Sequence, residues 1–120
     1  MKPVKIFVYG TLMPTQGNYD FFLRGFTNSE KRATVTGELW EHNGIPMVVH
    51  GDDKIEGYVV ELKHSWQLYV IDRLEYGYNR VMRDVKLDAG GSDQAYDYMF
   101  AKHTAKSIGA EPTGRTRYAT

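Results

Sequence analysis

The sequence predicts an α+β fold: a small mixed, mostly antiparallel β-sheet, curled or partly closed into a barrel, with one or two helices inserted. Three observations lead there. Six short segments carry the alternation or the β-branched and aromatic enrichment of strands. Most are joined by glycine-containing turns. Only one segment has a clear helical stripe, so helices and strands do not alternate as a parallel α/β sheet requires.

The first strand is read over Val4–Tyr9, stopped by Gly10 and followed by a loop with Pro14 and Gly17. Asn18 can cap a short helix carrying Phe21, Phe22 and Leu23, which Gly25 would end. Ala33–Trp40 alternates, with Ala33, Val35, Gly37 and Leu39 on one face, and Gly44 makes a turn. Pro46–His50 and Ile55–Leu62 read as two strands joined by a Gly51-Asp52-Asp53 turn. Ser65 is a candidate N-cap for the clear helix, whose stripe is Trp66, Val70 and Leu74, and Gly77 sits past its end. Arg80–Leu87 and Ala95–Phe100 form a last pair across Gly90-Gly91. Beyond Ala101 the periodicity fails, so residues 101–120 are expected to be a polar, partly flexible tail on a single domain spanning 1–120.

Composition excludes whole classes of function. The 15 Lys and Arg balance 15 Asp and Glu, leaving no global field to steer a nucleic acid or an anionic membrane. No apolar run approaches a membrane span or a signal-peptide core. With zero cysteines there is no thiol nucleophile, thiolate zinc site or disulfide, which fits a soluble protein of the reducing cytoplasm. His42, His50, His64 and His103 are separated by 8, 14 and 39 positions, matching no short metal-ligand spacing, so neither metal nor cofactor is expected. Asp52-Asp53 reads as a solvated hairpin tip, and neither Ser65 nor Ser107 has a hydrolase-elbow setting. The 9 tyrosines are the one unusual count.

Two segments carry chemistry. A buried strand that turns sharply at Gly10 leaves successive backbone N–H groups of Tyr9-Gly10-Thr11-Leu12 outside the ladder, a concavity suited to a carboxylate. Read alone, it is also a common strand terminus. Glu75 falls at the last turn of the clear helix, against the negative end of its dipole, with aromatic residues following in Tyr76-Gly77-Tyr78-Asn79-Arg80. Such a carboxylate has a raised pKa, as a general acid–base near neutral pH requires. The plainer reading is a solvated residue or an ion pair with Arg80.

Together, Phe7-Val8-Tyr9-Gly10-Thr11-Leu12, Gly17-Asn18, and Asp72-Arg73-Leu74-Glu75 with downstream Tyr78-Asn79-Arg80 resemble the γ-glutamylcyclotransferase-like family, which includes γ-glutamylamine cyclotransferases and AIG2-like proteins. The resemblance covers roughly residues 4 to 100. It implies a small mixed barrel that converts a γ-glutamyl compound into 5-oxoproline and a free amine. By that resemblance Tyr9, Gly10, Thr11 and Leu12 hold the substrate's α-carboxylate, Glu75 is the catalytic glutamate, Tyr78 lines the pocket and Arg80 is a structural ion-pair partner. Pro14, Tyr19 and the short Glu75–Tyr78 segment depart from the family pattern on the leaving-group side, which bears on substrate choice.

The substrate's own α-amine is the nucleophile in that reaction, so the absence of cysteine is no handicap. Two rival readings belong to other classes. A non-catalytic γ-glutamyl or amino-acid binding domain would show ligand-induced stabilisation and no product. A tyrosine-rich protein-interaction module would spread Tyr9, Tyr76 and Tyr78 over a convex face instead of gathering them around Glu75.

Overall fold

A computed structural model describes residues 3–14 and 16–118. Five strands close on themselves: β1 (Lys5–Val8), β2 (Thr27–His42), β3 (Ile45–Leu62), β4 (Asn79–Leu87) and β5 (Ser92–Met99). Round the barrel, β1 pairs with β3, β3 with β2, β2 with β4 and β4 with β5, all antiparallel. Parallel pairing of β5 with β1, placing Phe7 beside Asp97, completes the circuit. The fold is therefore the small mixed α+β barrel that the alternation pattern predicts. Three short helices, α1 (Gly17–Phe22), α2 (Gln67–Leu74) and α3 (Lys102–Ser107), lie outside it. No helix among the described residues is long and apolar enough to cross a membrane.

The unbroken apolar run of β1 follows from its position, because both of its faces are covered. Phe7 packs inside the barrel with Val35, Leu39, Ile55 and Val85. Ile6 and Val8 face outward, onto Leu23 of the α1 turn and Leu68 and Ile71 of α2. Each such large side chain contributes roughly 1.5–3 kcal/mol by leaving water.

Several expectations are corrected. β2 starts at Thr27, six positions before the expected Ala33, because the polar stretch Thr27–Arg32 pairs along Tyr58–Leu62 of β3. The Gly51-Asp52-Asp53 turn is absent, and β3 runs through it. There the pairing shifts register between Gly37 and Glu38, and Asp52 and Asp53 are exposed on a bulge. A Cβ at Gly51 would lie 2.8 Å from that of Glu38, and one at Gly37 would lie 2.7 Å from Val48, so these glycines allow close approach instead of making a turn. The β2–β3 hairpin turns at Asn43-Gly44, both with positive φ (50° and 79°).

Helix α2 also differs. Its buried face is Gln67, Leu68 and Ile71, whereas the predicted stripe of Trp66, Val70 and Leu74 faces outward. Eight residues with apolar side chains on both faces give periodicity no basis for choosing between them. Ser65 is not the N-cap; the Gln67 side chain reaches back to accept from the His64 N–H at 2.7 Å. The expected tail is structured from 101 to 118. Ala105 and Ala110 bury against Trp40, Met47 and Val49, and a two-residue strand β6 (Glu111–Pro112) pairs with β2. The signal was weak because alanine supplies the contact.

Candidate active site

The end of β1 and the end of α2 face each other across a cleft of about 290 Å³. One wall is the loop after β1. Gly10 is required there because a Cβ would meet the Pro46 ring at 2.9 Å. The Met13 N–H donates to the Gly10 carbonyl at 3.0 Å, closing a turn that Leu12 and Met13 anchor by burial. Asn18, expected to be a helix cap, instead donates to the Thr11 hydroxyl at 2.7 Å from the first turn of α1. Among the described residues no backbone carbonyl accepts from the N–H groups of Thr11 or Leu12. The turn thus holds two donors ready for an anion.

The opposite wall starts at Glu75, the C-cap of α2, whose N–H still donates to the Ile71 carbonyl at 2.8 Å. Gly77, with φ of 94°, reverses the chain, and the Tyr78 N–H donates back to the Glu75 carbonyl at 3.0 Å. That reversal brings the Tyr78 ring alongside Glu75. The Tyr78 hydroxyl donates to the Pro46 carbonyl at 2.6 Å, and its ring meets Phe100 edge-on at 5.3 Å.

Tyr9, Gly10, Thr11, Leu12, Glu75 and Tyr78 therefore all line one cleft. Tyr76 does not; it is 92% exposed on the outer surface. Tyr98, inside the expected Ala95–Phe100 strand, and Asn18, Pro46 and Tyr118 line the cleft too. Alternation on β5 marks Tyr98 as facing away from Asp97, but only the parallel β5–β1 pairing brings it beside Tyr9.

The tyrosine hydroxyls are committed to the protein. Tyr9 donates to the Tyr98 carbonyl at 2.7 Å and accepts from the Val48 N–H at 3.3 Å. Tyr98 donates to Asp72 at 2.7 Å, and Asp72 also receives Arg80 at 2.7 Å, so Arg80 is the structural ion-pair partner expected of it. Burial is the main reason that all three phenols are pushed above their ordinary pKa, so each stays neutral. Tyr9, Tyr78 and Tyr98 thus each already donate their hydroxyl proton within the protein.

Glu75 is different. Its carboxylate has no hydrogen-bond or ion-pair partner among the described residues, and burial pushes its pKa from 4.5 up to about 7. The direction matches the expected one, and desolvation in the cleft is its cause. Among the described residues lining the cleft it is the one carboxylate, poised to take or give a proton near neutrality. Among the described residues no three His, Asp or Glu side chains converge to hold a metal ion.

The five-stranded mixed barrel has solved counterparts, and they define the class of fold. An AIG2-like protein of Mus musculus is similar with a TM-score of 0.78 and 21% identity, covering 99% of this chain and 90% of that one. YkqA of Bacillus subtilis gives 0.67 and 25%, over 82% of this chain and 36% of that one. An uncharacterized protein of Pyrococcus horikoshii gives 0.62 and 23%, over 96% and 86% respectively. A search of curated proteins gives no match. The sequence profile of the family described as "Gamma-glutamyl cyclotransferase, AIG2-like" matches residues 6–116, and the chain belongs to that family. Membership supports a γ-glutamyl cyclotransferase-type function in general and a small γ-glutamyl compound as the kind of substrate.

Proposed function

We propose that the protein is a γ-glutamyl cyclotransferase that releases 5-oxoproline and a free amine from a γ-glutamyl amine or γ-glutamyl amino acid. The observation that carries this reading is the unpaired, half-buried Glu75 facing the free N–H groups of the Thr11–Leu12 turn across one small cleft.

In this reading the turn amides clamp the substrate's α-carboxylate, and the wall of Tyr9 and Tyr78 folds the glutamyl chain so that its amine faces its own γ-carbonyl. Holding the reacting atoms in that rotamer supplies on the order of 7 kcal/mol through effective molarity. The α-amine arrives as an ammonium. Glu75, ionised, takes one proton from it; the amine attacks the γ-carbon, and the carbonyl oxygen becomes an oxyanion. Glu75 then gives its proton to the departing nitrogen as the C–N bond breaks and the carbonyl re-forms, and it passes the second proton of the attacking nitrogen to the released amine, which leaves as an ammonium while the ring nitrogen keeps one proton. The γ-glutamyl acyl group has moved from one nitrogen to another, and the carboxylate is ready to begin again. Each bond and proton is handled by the substrate and Glu75, so the proposal includes no metal or cofactor, no nucleic-acid or membrane partner, and a cytoplasmic setting for one domain over 1–120.

The test is 5-oxoproline release from a panel of γ-glutamyl compounds by the natural protein and by Glu75→Gln. Release by the first and its loss in the second, with folding intact, is expected. Turnover by Glu75→Gln at the natural rate overturns the assignment.

A further inference from the structure

The cleft is asymmetric in charge and in depth. Its inner end has the turn amides and Glu75. Its outer end follows the start of β3: Pro46 abuts Gly10, Ile45 comes next, and Gly44 accepts from the Tyr118 hydroxyl at 3.2 Å. Ile45 is 56% exposed and Leu74, on the facing helix end, is 36% exposed, which marks this end as the mouth. Among the described residues lining the cleft there is no lysine, arginine or histidine.

Tyr118 comes to this mouth on a segment stitched across the barrel. The Thr113 hydroxyl donates to the Leu39 carbonyl at 3.0 Å, Arg115 pairs with Glu41, and the Glu56 N–H donates to the Thr116 carbonyl at 2.8 Å. The family match ends at residue 116, so this aromatic wall stands outside the matched stretch.

We infer that Tyr118, Ile45 and Leu74 form an apolar leaving-group subsite that favours γ-glutamyl amides of uncharged, apolar or aromatic amines. The inference rests on the cyclotransferase reading and deepens it. A substrate anchored by its carboxylate on the turn directs its leaving amine outward, past Glu75, between these three side chains. An aromatic or alkyl group there loses water against apolar surface. A γ-glutamyl α-amino acid instead brings a second carboxylate beside the scissile nitrogen. That charge would lie near Glu75 with no cation among the described lining residues to receive it, and an unpaired charge in a partly dry cleft is costly.

Three probes separate these contributions: γ-glutamyl-2-phenylethylamide; γ-glutamyl-L-phenylalanine, which adds only the carboxylate; and γ-glutamylethylamide, which lacks the ring. The expected order of kcat/KM has the phenylethylamide about tenfold or more above each of the others, within the range one apolar pocket can discriminate. Tyr118→Ala should lower the phenylethylamide value about tenfold more than the ethylamide value, and Tyr118→Phe should keep the natural ratio. Ile45→Ala tests the same subsite from an exposed position, so a poorly folding Tyr118→Ala does not end the test. Release from all three probes with γ-glutamyl-L-phenylalanine equal to the phenylethylamide overturns the subsite and leaves the cyclotransferase reading standing. The same holds if neither Tyr118→Ala nor Ile45→Ala changes the ratio between phenylethylamide and ethylamide. No 5-oxoproline from any γ-glutamyl compound overturns both.

Discussion

Two carboxylates, the half-buried Glu75 in the cleft and the fully buried Asp97 inside the barrel, differ in what surrounds them. Both are pushed up by burial, Glu75 to about 7 and Asp97 to about 6. Asp97 is fully enclosed, on the inward face it shares with Ala95 and Met99, and Arg83 donates to it at 3.0 Å. The same guanidinium donates to the Thr36 carbonyl at 2.7 Å and to its hydroxyl at 3.1 Å, which ties β5, β4 and β2 together. Glu75 has no such partner and borders a cavity. A raised pKa alone therefore does not mark a catalytic acid. What separates the two is the open approach to Glu75, since Asp97 also has one unpartnered oxygen but is sealed inside the barrel.

The largest effects should fall on opposite properties. Glu75→Gln should reduce 5-oxoproline turnover on the order of a thousandfold, the usual scale of a general acid–base, while thermal melting at pH 8 shows no loss of stability. Asp97→Ala leaves the half-buried Arg83 guanidinium without its ion-pair partner and should cost about 3 kcal/mol of stability by denaturant titration. Its turnover per folded molecule should stay within about twofold of the natural value, because Asp97 does not line the cleft. A thousandfold loss of turnover in folded Asp97→Ala would erase the distinction between the two acids.

The comparison also indicates what the sequence could carry. That the Tyr9–Leu12 turn and Glu75 would border a cleft was legible because each sits in a contiguous stretch whose local grammar, strand-Gly-Thr and helix end, survives without tertiary information. Tyr98 and Pro46 were not, since closure of β5 on β1 and continuation of β3 through Gly51 decide their place. Asp97 alternates with tyrosines and gives no sign of which face is the interior. For α2, apolar residues on both faces hid the buried one. Tyr118 lay in a stretch where alanines and backbone hydrogen bonds, with no periodic stripe, hold the chain.

Stability against pH discriminates the acids at a smaller scale. A carboxyl whose folded pKa is raised binds its proton more tightly in the folded state. Its contribution is thus present at low pH and lost as pH rises through the folded value. For Glu75 the loss runs from 4.5 to about 7, and for Asp97 from 3.8 to about 6. Asp93, lowered chiefly by its hydrogen bond from Lys5, has the opposite sign and acts below 3.8. Melting followed in steps from pH 4.5 to 8 should show the natural protein losing about 2 kcal/mol relative to Glu75→Gln, after allowance for solvent reaching the cleft. Parallel curves for the two proteins would mean that Glu75 titrates as an exposed residue does. The kcat/KM profile should rise with pH around 7, as Glu75 in the free enzyme must be ionised to take the ammonium proton.

The smallest effects compare one hydrogen bond on each side. In the cleft, Asn18 donates to Thr11 and steadies the turn; in the barrel, the Thr36 hydroxyl accepts from Arg83 while the Thr36 carbonyl keeps a second bond to it. A single neutral hydrogen bond contributes about 1 kcal/mol, and less where a neighbouring acceptor remains. Asn18→Ala should therefore release the turn that orients the Thr11 and Leu12 amides and raise KM for a γ-glutamyl substrate about fivefold, with kcat and melting temperature nearly unchanged. Thr36→Val should do the reverse, lowering stability by roughly 0.5 kcal/mol and leaving KM alone. If Asn18→Ala lowers stability without touching KM, the turn is held by Leu12 and Met13 burial alone, and the amides need no help from α1 to face the substrate.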